Sequence, residues 1–173
     1  MIRHLFLFAF LIVLSGCGYT TGSMLPSNYR NISIEPFTNG VSFVSENSRP
    51  LYVPQLETKA RTAIINRFQF DGNLRISESG KADLILKGEL VGFERDELRL
   101  TENQDVQEYR VRILVSLTMI DAVTNEVIWS ESSFGGEATY FTSGPQATSE
   151  SGALENALTD LGRRVVERTI ENW

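Results

Sequence analysis

Gln107-Glu108-Tyr109-Arg110-Val111-Arg112-Ile113-Leu114-Val115-Ser116-Leu117-Thr118-Met119-Ile120 reads as one long strand. Tyr109, Val111, Ile113, Val115, Leu117 and Met119 fall on one face at a period of two, while Glu108, Arg110, Arg112, Ser116 and Thr118 fall on the other. An apolar face set against a polar one is the signature of a sheet covered on one side only, which favours antiparallel pairing. Upstream, Asp83–Leu90 repeats the theme: Leu84, Leu86, Gly88 and Leu90 share a face. Downstream, Asp121–Glu126 turns the chain, with Asn125 suited to a left-handed conformation, into a third strand around Val127, Ile128 and Trp129.

Two helices complete the pattern. From Gln55 to Phe68, the residues Leu56, Ala60, Ala63, Ile64 and Phe68 form a stripe at spacings of three and four, with Pro54 at the start and Asp71-Gly72 at the end. Glu57 is placed to pair with Arg61. From about Ser149 to Glu171, the stripe is Leu154, Ala157, Leu158, Leu161 and Val165, with Ser149 or Ser151 as N-cap and Asp160 placed to support Arg164. Shorter strands are predicted at Ile32–Ile34, which Pro36 confines to an edge or stops, and at Leu74–Ser77. Thr38–Pro54 and Glu137–Gln146, rich in Gly, Asn, Ser, Thr and Pro, read as loops. The sum is an α+β fold, a two-layer sandwich of two amphipathic helices packed on one face of a mostly antiparallel β-sheet. Its other face is left for a partner.

The N-terminus carries a different message. Arg3 precedes an apolar run from Leu5 to Leu14, and Leu14-Ser15-Gly16-Cys17 follows. Ten residues at about 1.5 Å each cover only about half of a bilayer's hydrocarbon core, so the run suits a cleaved signal better than a membrane span. The tetrapeptide resembles the lipobox of bacterial lipoproteins, in which the Cys becomes a lipidated N-terminus. The expected organisation is a signal peptide over residues 1–16, a lipidated N-terminus and tether over 17–30, and a single α+β domain over 31–173. Several acyl chains on Cys17 would hold the protein stably on a membrane, at about 0.8 kcal/mol per buried CH₂. The resemblance to such lipoproteins implies that Asp after the Cys would retain the protein at the inner membrane; with Gly18 there, outer-membrane attachment facing the periplasm is expected.

Composition narrows the chemistry. Loss of residues 1–16, which hold Arg3 and no acid, takes the formal charge from −6 to −7, so no nucleic-acid partner is expected. The only His, His4, and the only Cys, Cys17, leave or are consumed in that processing. Catalysis by Ser-His-Asp, Cys-His or thiolate chemistry is thereby excluded, as is His-ligated zinc. No catalytic residue, metal site or cofactor is expected beyond the covalent lipid on Cys17. A hydrolase using carboxylates alone and a lipid carrier with an internal cavity remain as lesser alternatives.

In their order along the chain, several segments resemble a known family. These are Cys17-Gly18-Tyr19, Leu25-Pro26 before Ile32-x-Ile34-x-Pro36-Phe37-x-Asn39, Pro54-x-Leu56-Glu57, Phe70-Asp71-Gly72 and Ala82-Asp83-Leu84-x-Leu86-x-Gly88. Glu108-Tyr109-Arg110-Val111, Asp121-x-x-Thr124 leading to Trp129, Gly136-Glu137-Ala138-Thr139-Tyr140 and the C-terminal helix follow. The chain looks like the lipopolysaccharide-assembly lipoprotein family, LptE, with Asn125 where many members carry Gly. The resemblance implies a non-enzymatic outer-membrane lipoprotein that plugs and helps assemble the LptD-type β-barrel and assists lipopolysaccharide transport. A periplasm-facing regulator docking on a cell-wall synthase or secretion complex is the alternative.

Candidate contacts with lipopolysaccharide or the barrel are Arg95, Arg99, Arg110 and Arg112, which flank the turn between the two long strands. Arginine suits bidentate contact with phosphate or carboxylate. Only Arg99 has a motif-level counterpart in the family. The plainer reading is cross-strand pairing with Asp96, Glu97, Glu102, Asp105 and Glu108. Tyr140 and Phe141 are candidate partner-contact aromatics, whereas Trp129 reads as core.

Overall fold

The computed structural model describes residues 25–41 and 53–171. Cys17 and most of its tether, Trp173, and the bulk of the expected Thr38–Pro54 loop lie outside the described residues. The strands are β1 (Asn31–Ile34), β2 (Thr38–Asn39), β3 (Arg75–Ile76), β4 (Leu84–Leu100), β5 (Val106–Asp121) and β6 (Val127–Phe141). The helices are α1 (Leu56–Asp71) and α2 (Glu150–Glu171). The sheet runs β3-β1-β4-β5-β6, with β2 also on β4. β4, β5 and β6 are antiparallel, while β1 and β2 run parallel to β4.

Two amphipathic helices on one face of this sheet give the expected α+β sandwich. The odd residues Val111 to Met119 of β5 are fully buried, together with Leu84 and Leu86 of β4, Leu56, Ala60, Ile64 and Phe68 of α1, and Ala157, Leu161 and Val165 of α2. The close approach of α2 to β6 is made possible by Gly136, where a Cβ would strike the backbone of the helix at Ala157 and Leu161. Asn125 adopts the expected left-handed conformation at φ 59°, and Gly72 ends α1 at φ 79°. The Ser149 Oγ accepts the N–H of Gly152, so Ser149 is the N-cap of α2.

Several expectations need correction. Glu137–Phe141 is not loop but the last third of β6, so Tyr140 and Phe141 are strand residues. Thr and aromatic residues are good strand formers, and Gly136 serves helix packing rather than a turn. β4 extends ten residues past Leu90 because the β-bulge between Leu90 and Gly92 shifts its alternation from even to odd positions. Beyond the bulge, Phe93 is the residue on the covered side, opposite Ile113. β1 stops before Pro36 as expected but lies inside the sheet, between β3 and β4. Thr38 and Asn39, placed in the loop, pair with Glu89 and Leu90.

Neither expected helical ion pair forms. Arg61 instead donates to the carbonyls of Ile34 (2.7 Å) and Glu35 (3.0 Å), which terminate β1 without a further strand partner. Arg164 donates to the Gly135 carbonyl on the outer edge of β6, and Asp160 pairs with Arg163 at 2.6 Å. Backbone groups that need partners thus outcompete neighbouring charges on the helix surface, where an ion pair contributes only about 0.3–0.5 kcal/mol.

The end of the sheet where the chain enters is tied by two carboxylates. Asp83 Oδ2 accepts the N–H groups of Arg30 (2.9 Å) and Asn31 (2.8 Å), while Asp121 Oδ2 accepts the Tyr29 hydroxyl at 2.7 Å. Asp121 Oδ1 accepts the N–H groups of Val123 and Thr124 in the β5–β6 turn. Backbone donors, first Arg30 for Asp83 and Thr124 for Asp121, hold both carboxyls below their ordinary range. A depressed folded-state pKa contributes stability above the unfolded value of about 3.9, and that contribution is lost as pH falls through the folded value. The melting temperature is therefore expected to drop below about pH 4. Asp83→Asn combined with Asp121→Asn should flatten that limb of a pH–melting curve; an unchanged limb would assign the acid sensitivity elsewhere.

Candidate functional site: the β4–β5–β6 arm

Towards the hairpin tip, the three long strands form an arm that carries all the candidate contact residues, with the first turn of α2 still against one of its faces. The pleat divides the four arginines between its two faces. Arg95 lies opposite Val111 and so points to the helix side, whereas Arg110 and Arg112, opposite Asp96 and Glu94, point to the open side. Arg99 joins the open side through Glu108. The four arginines that flank the turn thus form two separate groups.

On the helix side, Arg95 stacks over the Tyr109 ring (4.9 Å), and Tyr109 stacks on Tyr140 with centroids 5.4 Å apart. Glu150, in the first turn of α2, receives both Arg95 Nη1 (2.8 Å) and the Tyr140 hydroxyl (3.1 Å) on its Oε2. Burial first, then the Glu150 charge, pushes the Tyr140 hydroxyl above its ordinary pKa. For Arg95, burial opposes the charge, but the bond to Glu150 outweighs it and raises the pKa. Tyr140 is 7% exposed, so this cluster joins the arm to α2 and leaves little of Tyr140 for a partner. The sequence reading missed Glu150, because no local spacing links it to Tyr140 and Arg95, 10 and 55 positions earlier in the chain.

On the open side, Arg112 pairs with Glu94 (2.7 Å) and Asp96 (3.0 Å), Arg110 reaches Asp96 at 3.6 Å, and Arg99 reaches Glu108 at 3.6 Å. The Arg99 guanidinium lies over Phe141, 5.8 Å from its centroid. Asp96 and Glu108 were expected as partners; Glu94 was not, since the strand was read as ending before it. Each arginine is therefore matched by a carboxylate that an incoming anion would have to displace. Such exchange costs little, because the pairs are still half open to solvent and surface ion pairs are worth about 0–1 kcal/mol. Nearer the middle of this face, Leu114 spreads between Gly92 and Gly135, and Ser116 and Thr118 follow. Thr118 Oγ1 and Ser130 Oγ hydrogen-bond across strands at 3.0 Å. Trp129 is buried beneath Arg168, as core, 5.2 Å from its guanidinium.

Among the described residues, no group of three His, Cys, Asp or Glu side chains is arranged to hold a metal ion. No described helix is long and apolar enough to cross a membrane. The open sheet face thus presents ion pairs and hydroxyls side by side.

The sequence profile described as lipopolysaccharide-assembly, LptE, matches residues 29–169, which span all six strands and nearly all of both helices. The chain belongs to the LptE lipopolysaccharide-assembly family. No curated protein sequence matches it. Solved structures place the family's fold in wider company. Protein CT253 from Chlamydia trachomatis is 12% identical, with 81% of this chain and 95% of that one aligned at a TM-score of 0.55. Protein XCC0632 from Xanthomonas campestris is 14% identical over 81% and 83%, at 0.57. Lipoprotein B from Nitrosomonas europaea is 14% identical over 84% of each chain, at 0.56. At these identities the likeness is one of fold.

Proposed function

We propose that this LptE-family chain is an outer-membrane lipoprotein, anchored through lipid on Cys17 and facing the periplasm, that plugs and helps assemble an LptD-type β-barrel during lipopolysaccharide transport. The observation that carries the reading is the family match over residues 29–169. The open sheet face supports it, because a barrel lumen is lined with polar groups and a domain seated there needs a hydrophilic surface of mixed charge. The protein acts by occupying space and by binding, not by catalysis. Arg99, Arg110 and Arg112 exchange their carboxylate partners for lipid phosphates or for acidic groups of the barrel wall, while Phe141 adds contact area beside Arg99.

The deciding experiment is a mild-detergent pulldown of the lipidated protein with its partners identified by mass: a stoichiometric barrel of LptD type is expected. Capture of a cell-wall synthase or secretion complex instead would favour the regulator. Cys17→Ser is expected to move the protein from the membrane fraction to the soluble one, and retention in the membrane would refute the anchor. In the double variant Arg99→Glu/Arg112→Glu, we expect at least a fivefold loss of lipopolysaccharide retention on the purified protein, with the melting temperature shifted by no more than about 3 °C because the pairs lost are half open to solvent. Unchanged retention and unchanged barrel assembly would leave these arginines with a purely structural role.

A further inference from the structure

The two long edges of the arm are treated differently. On β6, α2 reaches over the edge: Arg164 donates to the Gly135 carbonyl, and Asp160 accepts the Glu137 N–H at 3.2 Å. Further along, Phe141 accepts the Thr148 N–H at 3.1 Å. These contacts occupy backbone groups that would otherwise template another strand. On β4, the outer edge is paired with β1 at Leu84–Leu86 and with β2 at Glu89–Leu90, ending in the bond from the Gly40 N–H to the Leu90 carbonyl. Among the described residues, no strand pairs with Val91–Leu100 on that side.

The parity of this edge is set by the ladder. Leu86 and Leu90, opposite the odd residues Met119 and Val115 of β5, turn their carbonyls outward to Glu35 and Gly40. Beyond the bulge, Phe93, Arg95 and Glu97 lie opposite Ile113, Val111 and Tyr109, so their N–H and C=O groups point outward in turn. Val91, Leu98 and Leu100 are 38%, 43% and 52% exposed along the same stretch.

We propose that the outer edge of β4 from Val91 to Leu100 is a strand-addition site for an extended segment of a protein partner that carries basic residues at alternate positions. Charge selects this occupant. Glu94 and Asp96 stand on the open face with Arg112 and Arg110 on the β5 side, and an added strand would place its own open-face side chains on their other flank. Lysine or arginine there completes a row of alternating sign. A second copy of this chain fits badly, since antiparallel pairing around a two-fold at Arg95 sets Glu94 against Asp96, acid against acid. The proposal names an edge rather than a face and does not depend on the barrel reading.

The test uses the full lipidated chain in a neutral detergent and an acetylated, amidated octapeptide alternating Thr and Lys. Hydrogen exchange over 91–100 is expected to slow at least tenfold at saturating peptide, with no change along β6, and the same peptide with Glu in place of Lys is expected to have no effect. Glu97→Pro, which removes an outward N–H from an edge position, should abolish the protection. Should that variant fold poorly, peptides N-methylated on alternate amides replace it: methylation along one edge loses protection and along the other keeps it. Absence of protection, equal protection by the acidic peptide, or protection that appears with protein concentration alone would overturn the assignment. A barrel recovered in the pulldown with no protection here would sink this edge and spare the proposed function.

Discussion

Gly136→Val is expected to lift α2 from the sheet. A Cβ at this position lies 2.5 Å from both the Cβ and the backbone N of Leu161 and closer still to the Ala157 carbonyl oxygen. Two are helix backbone atoms and the third is a Cβ fixed to that backbone, so none can swing aside as the end of a flexible side chain does. The helix must move, and with it the buried Leu158, Leu161 and Val165. Overpacking usually costs about 1–3 kcal/mol, and opposition from backbone places this case at about 3 kcal/mol or above. A domain of this size then loses about 6–12 °C in melting temperature, measured by circular dichroism. Gly135→Ala is the control: its Cβ meets the movable Leu114 side-chain tip at 3.1 Å and the Ile113 carbonyl oxygen at an ordinary 3.7 Å, and a shift under about 3 °C is expected. Equal shifts in the two variants would mean that the close approach at Gly136 is not what seats the helix.

Phe68→Ala should cost about 3–5 kcal/mol, through the lost transfer free energy of the ring and the cavity left behind. Phe68 is fully buried at the end of a stripe that begins with Leu56, Ala60 and Ile64, where α1 meets both the sheet and α2. Two residues along, Phe70 is 80% exposed, and its replacement by Ala should change stability by less than about 0.5 kcal/mol. Urea unfolding measures both, with the slope expected to stay constant so that the midpoint reports stability alone. A Phe68 variant within 1 kcal/mol of the parent would show that this corner of the core repacks freely, contrary to its dense burial.

Much of this fold was legible because its signals are local and periodic. The alternation of β5, the stripes of α1 and α2, and the turn chemistry of Asn125, Gly72 and Ser149 each lie within a few residues of one another. What escaped were features that depend on distant neighbours. The bulge at Val91 reverses the phase of β4, so a reading in one phase stops at Leu90, ten residues short of the strand's end. The composition of Glu137–Phe141 suggests a loop unless one knows that Gly136 lies under a helix. The same holds for the candidate site. Cross-strand carboxylates for the arginines were foreseeable from the hairpin, but the division of Arg95 from Arg99, Arg110 and Arg112 needed the register, and Glu150 needed the tertiary fold. Arg61 and Arg164 likewise chose carbonyls over adjacent acids for reasons that no helix-local rule contains.

The length of β4 has one more consequence. It begins at Leu84, next to the Asp83 that binds Arg30 and Asn31 where the chain enters, and runs 17 residues to the hairpin tip. At about 3.3 Å per residue, and allowing for bulges and coiling, that is a reach of about 50 Å. The hydrocarbon layer of a bilayer is only about 30 Å thick. The arm is therefore longer along its own axis than that layer is thick, and the exposed Leu98 and Leu100 lie within the last three residues of that length.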